Sequence, residues 1–318
     1  MTTQQSINQT TNQAMRIHAY GGPEVMQQDE VPTPVPGPGQ VLVAVKAAGI
    51  NGLDWKVRAG YVQDVFKLAL PATLGIELAG VVVAVGPGAS RFQPGDRVMG
   101  PLGGLGAYAR FVAVDEAKLA LTPAALSDVQ AAALPVVLLT AWQALRAAGE
   151  LRAGQRVLIH GAAGGVGGMA VQLAKAAGAT VLATASAGSR AHVLALGADE
   201  VFDRHAQRFE DTARGVDLVL DLVGGETLDR SWQVLAAVGA IVSTAAPDVT
   251  ARAPAGQRGL WFMMTPDTAR LAELAGAVAA GRLRSTVAEV VGFAEIPAAI
   301  ARNQAGHAPG KMVADFNR

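Results

Sequence analysis

The sequence predicts an α/β protein, with a parallel sheet flanked by helices and strand-rich chain on either side of it. Three observations predict it. Strand-like and helix-like runs alternate from residue 156 to residue 244, the pattern of a parallel sheet covered on both faces. A glycine-rich loop joins the first strand of that run to its helix. Ahead of it, residues 15–121 hold short strands broken by turn residues, as in a barrel or sandwich.

The elements follow in order. Residues 1–14 are polar and almost free of charge, so they read as a disordered tail and not as a secretory leader. Residues 31–39 contain four prolines and cannot form helix. Residues 41–46 form a strand, and residues 80–86 form another, β-branched and bounded by glycines. Residues 93–96 make a turn and a strand starts at Arg97. Ser127 caps a helix running to Ala133, and a second helix spans residues 139–148. Strands are then predicted at 156–160, 180–184, 217–222 and 240–244, and helices at 166–177, 190–196, 228–236 and 268–281. Residues 287–318 return to strand-like pieces around a short helix at 296–304.

Composition removes several function classes. The absence of cysteine excludes disulfides, thiolate catalysis, iron–sulfur clusters and cysteine-held zinc. Equal numbers of basic and acidic residues, 26 each, argue against a nucleic-acid partner. The longest apolar run, residues 131–142, is well short of the roughly 20 residues that span a bilayer. A soluble cytoplasmic protein without membrane contact is expected.

The loop reads Val157-Leu-Ile-His-Gly-Ala-Ala-Gly-Gly-Val-Gly167. Glycines let backbone approach a pyrophosphate, and a helix start offers free N–H groups and a positive dipole end. Gly164, Gly165, Val166 and Gly167 are the candidate holders, although Ala162 replaces the first glycine of the dinucleotide fingerprint. A bare tight turn is the other reading. NAD-binding chains place a carboxylate about 20 residues further on. Here that stretch holds Ser186, Ser189 and Arg190, hydroxyls and a guanidinium that suit a 2′-phosphate. NADPH is therefore the expected cofactor, with Arg190 as a plain surface arginine the alternative. Residues 184–188 loosely echo a hydrolase nucleophile elbow but lack its first glycine.

Taken together, several segments resemble the medium-chain dehydrogenase/reductase superfamily, in its zinc-free quinone oxidoreductase-like branch. They are Tyr20-Gly-Gly-Pro-Glu24, Ala47-Ala-Gly-Ile-Asn51 with Asp54, Gly75-Ile-Glu-Leu-Ala-Gly80, Gly95-Asp-Arg-Val98, Leu134-Pro135 through Trp142, the glycine loop, Gly197-Ala-Asp199 and Gly310-Lys-Met-Val313. The resemblance implies a Rossmann-type doubly wound parallel sheet inserted into a GroES-like β-barrel domain. The expected division is a tail at 1–14, a GroES-like catalytic part at 15–130, a NADP-binding part at 131–283 and a return segment at 284–318. Zinc-dependent relatives carry Gly-His-Glu where this chain has Gly75-Ile76-Glu77, so no metal is expected. Of the histidines (18, 160, 192, 205 and 307), none forms a metal-binding motif.

The resemblance also assigns residues. Asn51 corresponds to the asparagine near the nicotinamide and is expected to donate a hydrogen bond to cofactor or substrate, with a left-handed turn residue before Gly52 as the alternative. Tyr61 is expected near the substrate, or else as a partly buried packing residue. Thr140 corresponds to a contact of the nicotinamide ribose. Val223 and Ser243 sit at carboxyl ends of strands, the edge where such sheets bind ligands. Asp54 and Glu77 are expected to anchor loops. Trp261 and Phe262 line an acceptor pocket, or belong to a dimer interface or the core. The implied activity is zinc-independent hydride transfer from NADPH to a quinone or α,β-unsaturated carbonyl, by a homodimer. The alternatives are an alcohol dehydrogenase or enoyl-thioester reductase on the same fold, and a weakly catalytic NADPH-binding redox sensor.

Overall fold

The computed structural model describes residues 11–64, 67–306 and 309–318. The chain divides into two compact units, Met1–Val136 with Pro266–Arg318, and Val137–Thr265. These boundaries differ from 130/131 and 283/284. The helix at Thr268–Ala279 belongs to the first unit because it packs on the short strand Ala120–Leu121. Of the expected tail, residues 1–10 lie outside the described residues, and residues 11–14 are already strand.

In the first unit, β1 (Thr11–Ile17), β2 (Met26–Pro32) and β4 (Ala72–Thr73) form a small antiparallel sheet. A larger sheet is built on β3 (Gln40–Ile50) and β5 (Glu77–Val85), extended by β6 (Arg97–Pro101) and β8 (Ala120–Leu121), with β7 (Phe111–Asp115) also pairing to β3. The chain end returns here. β15 (Val287–Gly292) runs parallel to β16 (Lys311–Asp315), and β16 pairs antiparallel with β3. That register sets Met312 opposite Ile50 and so brings Lys311 beside Asn51. Val41, Val43, Val45, Leu78, Val98, Phe293 and Ile296 are among the buried side chains that hold this unit. Asn51 caps α1 (Gly52–Arg58) with extended backbone, φ −126°, so it is not the left-handed turn residue.

Ser127 caps α2 (Asp128–Ala132) as expected: its hydroxyl accepts from Gln130 N, and the Gln130 side chain accepts from Ser127 N. The next helix, α3 (Pro135–Ala144), starts four residues earlier than 139. Proline suits a first helical position, where its missing N–H would have no intrahelical partner anyway.

In the second unit, six parallel strands lie in the order β11-β10-β9-β12-β13-β14. They are β9 (Arg156–Ile159), β10 (Thr180–Ala185), β11 (Glu200–Asp203), β12 (Val216–Asp221), β13 (Leu235–Ser243) and β14 (Arg258–Trp261). Numbered from β9, this is the 3-2-1-4-5-6 order of a dinucleotide-binding sheet, with its switch point between β9 and β12. The helices α4 (Gly165–Ala176), α5 (Arg190–Ala195), α6 (Phe209–Thr212) and α7 (Gly225–Ser231) connect the strands. The helix expected at 228–236 ends at Ser231, and Leu235 already begins β13. The last helices, in the first unit, are α8 (Thr268–Ala279) and α9 (Ile296–Ala305). No helix among the described residues is long and apolar enough to cross a membrane.

Candidate functional site

In the second unit, the glycine loop leaves β9 at the switch point. Gly161 has φ +70°, a left-handed turn, and a Cβ there would lie 3.3 Å from Val223 Cγ2. The loops after β9 and β12 therefore meet, and half-exposed Val223 (51%) stands against Gly161. Gly164 caps α4, whose first residues are Gly165, Val166 and Gly167. Their N–H groups precede any intrahelical acceptor and so face whatever binds at that end. Gly167 packs directly on the Gly161 and Ala162 backbone.

At the end of β10, the Ser186 hydroxyl donates to Ser189 Oγ at 3.1 Å. Arg190 is exposed and donates through one guanidinium nitrogen to the Val201 carbonyl, which turns its head along β11. The sequence reading missed Arg204. It follows β11, and its backbone N–H donates to Ala185 O at 2.9 Å, so a second arginine is anchored next to the end of β10, with its Nε donating to His205 Nε2 at 3.0 Å. No local pattern marks it, because only the β10–β11 register brings it there.

Ser243 is a correction. It is fully buried, its hydroxyl donates to Asp221 Oδ2 at 2.6 Å, and its oxygen accepts from Ala245 N and Ala246 N. With its proton and both lone pairs engaged, it shapes the loop and is not free for a ligand. Thr140 is on α3, 8% exposed. Trp261 ends the edge strand β14 and is 41% exposed, so it is not a core residue.

In the first unit a buried polar cluster surrounds Asn51. Its Nδ2 donates to Gly49 O at 3.1 Å and to Glu77 Oε1 at 2.9 Å, and its Oδ1 accepts from Lys311 Nζ. The ammonium and the carboxylate thus fix which end of the amide is oxygen. Both amide hydrogens are taken inside the protein, which corrects the expectation that Asn51 donates to cofactor or substrate. Lys311 Nζ also lies 2.6 Å from Glu77 Oε1, and Glu77 Oε2 accepts from Val136 N at 2.7 Å. Lys311 was not singled out from the sequence. Tyr61 stands apart, 75% exposed, with its ring edge-on to Trp55 at 5.8 Å, so it is not a buried packing tyrosine.

Asp54 completes the cluster. Its Oδ2 accepts from Tyr108 OH at 2.6 Å and from Asn51 N at 2.7 Å, while Oδ1 has no partner among the described residues. Burial pushes its carboxyl up from 3.8 to about 6, against the hydrogen bonds from Tyr108 and Asn51 and the charge of Lys311. Burial also pushes the Tyr108 phenol well above its ordinary value, so Tyr108 remains the donor. Because the folded value is raised, Asp54 contributes stability that is complete below pH 3.8 and is lost as pH rises through about 6. Relative to Asp54→Asn, the wild type should lose about 2 kcal/mol between pH 4 and pH 8. Urea unfolding of both proteins across that range measures it, and parallel profiles would refute the assignment.

Among the described residues, no group of three or more His, Cys, Asp or Glu side chains could hold a metal ion.

Comparison with known proteins agrees with this geometry. The alcohol dehydrogenase GroES-like domain family matches residues 37–124, and a family described as zinc-binding dehydrogenase matches residues 196–313. Mouse quinone oxidoreductase is 36% identical over 247 residues, or 74% of each chain. The chain belongs to the medium-chain dehydrogenase/reductase superfamily. Within that superfamily it falls in the quinone oxidoreductase-like branch. The quinone oxidoreductase of Coxiella burnetii superposes with a TM-score of 0.92 at 34% identity, over 96% of this chain and all of that one. The Escherichia coli quinone oxidoreductase solved with NADPH superposes at 0.87, with 28% identity over 95% and 99% of the two chains. Polyketide synthases match as well. The spectinabilin synthase protein NorB of Streptomyces orinoci is 39% identical over 94% of this chain, which spans only 14% of that protein.

Proposed function

We propose that this member of the superfamily is a zinc-independent, NADPH-dependent reductase of quinones or α,β-unsaturated carbonyls. The observation that carries the metal-free reading is the donor set around Asn51. Zinc needs at least three nitrogen, sulfur or oxygen ligands. Ile76 offers none, the Asn51 amide is fully engaged, and both Glu77 oxygens already accept hydrogen bonds. These residues do not suit a zinc ion.

They leave a preference for acceptors that need no Lewis acid. Attack on a quinone or enone leaves a delocalised anion, whereas alcohol oxidation needs a stabilised alkoxide. When bound, NADPH supplies the hydride. Backbone N–H groups of Gly165, Val166 and Gly167 hold its pyrophosphate, and Val223 closes over them. Gly164 is corrected as a donor, because its N–H is spent on Gly161 O at 3.0 Å and it serves as the cap of α4. Ser186, Ser189 and Arg190 take the 2′-phosphate, with Arg204 as a second cation. Thr140 meets the nicotinamide ribose. The exposed Tyr61 ring, backed by Trp55, meets the hydrophobic acceptor. Asn51 acts by ordering its surroundings, and water supplies the proton. A cytoplasmic homodimer belongs to the same reading, supported by the sheet edge at β14 with Trp261 exposed on it.

Steady-state NADPH oxidation against a panel of quinones and enones tests the activity. NADPH binding with no acceptor reduced would sink it. For the cofactor, Arg190→Ala should weaken NADPH about tenfold or more and leave NADH nearly unchanged, as for a lost charge-assisted contact. Equal losses would remove the 2′-phosphate assignment. An enoyl-thioester acceptor is the second reading, kept beside the likeness to polyketide synthase proteins. Faster turnover of a crotonyl thioester than of any quinone would select it.

A further inference from the structure

His160 precedes the glycine loop, is fully buried, and has no role in the reading above. Its Nε2 lies 2.8 Å from Ser231 Oγ on α7, and its Nδ1 lies 3.0 Å from Thr184 Oγ1 on β10. The Ser231 hydroxyl spends its proton on Thr227 O at 2.7 Å. It can therefore only accept at Nε2, which must carry the ring proton, and Nδ1 must accept from Thr184. Thr184 is also where the loop is tied, since its carbonyl accepts from Ala162 N at 3.2 Å. The His160 backbone N–H donates to Leu220 O on β12 at 3.0 Å. One residue thus links β9, β10, β12 and α7 immediately before the chain turns into the loop. The Phe209 ring packs on the imidazole with centroids 4.8 Å apart.

We propose that His160, as its neutral Nε2–H tautomer, is a positioning residue that sets the glycine loop for a nucleotide pyrophosphate. This rests on the reading of the loop as the NADPH site. Burial supports the neutral form, since it lowers the imidazole from 6.5 to about 4, with Asp221 and Glu210 opposing the shift and Arg230 adding to it. At neutral pH the ring therefore holds one proton and donates in one direction only. Loss of the Thr184 hydroxyl would free the ring to change tautomer, which leaves Ser231 facing a bare nitrogen and loosens the anchor of Ala162.

The test compares NADPH with adenosine 2′-monophosphate, which carries the 2′-phosphate but no pyrophosphate. Thr184→Val should weaken NADPH about tenfold, the scale of one buried hydrogen bond, while adenosine 2′-monophosphate binds as it does to the wild type. Thr184→Ser, which restores a hydroxyl, should return NADPH affinity to within about twofold of wild type. If Thr184→Val does not fold, Ser231→Ala carries the same comparison from the α7 side. Equal losses of the two ligands, or unchanged NADPH affinity in a folded variant, would overturn the role of His160. A wild type that binds neither ligand would instead overturn the cofactor reading and this inference with it.

Discussion

Gly167→Ala is expected to abolish NADPH binding. A Cβ at this position would lie 2.7 Å from Ala162 Cα and 2.9 Å from the Gly161 carbonyl carbon, and nearer still to that carbonyl oxygen. These are backbone atoms, so no rotamer change relieves the clash. The loop and the first turn of α4 must separate, and with them the N–H groups that converge on a pyrophosphate. Geometry of that kind tolerates little displacement, and an ångström of misplacement can cost on the order of 100-fold. The expected loss in NADPH affinity is about 100-fold or more, with the first unit intact. Fluorescence titration with NADPH reads the affinity, and binding within threefold of the wild type would show that the loop does not hold the pyrophosphate.

This loop was legible in the sequence because its meaning is local. A strand, a glycine cluster and a helix follow one another within about a dozen residues, and the alternation that continues through β13 fixes the class of sheet. What depends on distant register was not legible. β11 has four residues and β14 is a four-residue edge strand containing Gly259, too short for either to show a period. Ser243 stands at a strand end, as a ligand contact would, but the β12–β13 register places Asp221 against it and takes up its hydroxyl. Asn51, Asp54 and Glu77 were each visible as single residues. Their cluster was not, because its cation comes from 260 positions further along, delivered by the pairing of β16 with β3. Gly310-Lys-Met-Val313 entered only as a segment of the family resemblance, with no partner for its lysine.

That distant lysine should carry a large stability effect. Lys311 is 6% exposed and Glu77 is fully buried, and the Lys311 ammonium faces both the Glu77 carboxylate and the Asn51 amide oxygen. In Lys311→Met, Glu77 keeps the hydrogen bonds from Asn51 and Val136 but loses the bonded ammonium. Removing one member of a buried ion pair costs about 3–5 kcal/mol, because the remaining charge has neither water nor a counter-ion. Whole domains are stable by only about 5–15 kcal/mol, so the variant should unfold at a much lower urea concentration. The cause is separable from lost packing. Lys311→Met combined with Glu77→Gln removes both charges and keeps an amide that can still accept from Val136 N. If the penalty is electrostatic, the double variant should recover most of it, since replacing both partners of a buried pair is often close to neutral. A single variant that costs less than about 1 kcal/mol, or a double variant no better than the single, would show that the pair does not support the β3–β16 junction electrostatically. Recovery of stability without recovery of turnover would assign the pair to a second task, holding the Asn51 amide in one orientation.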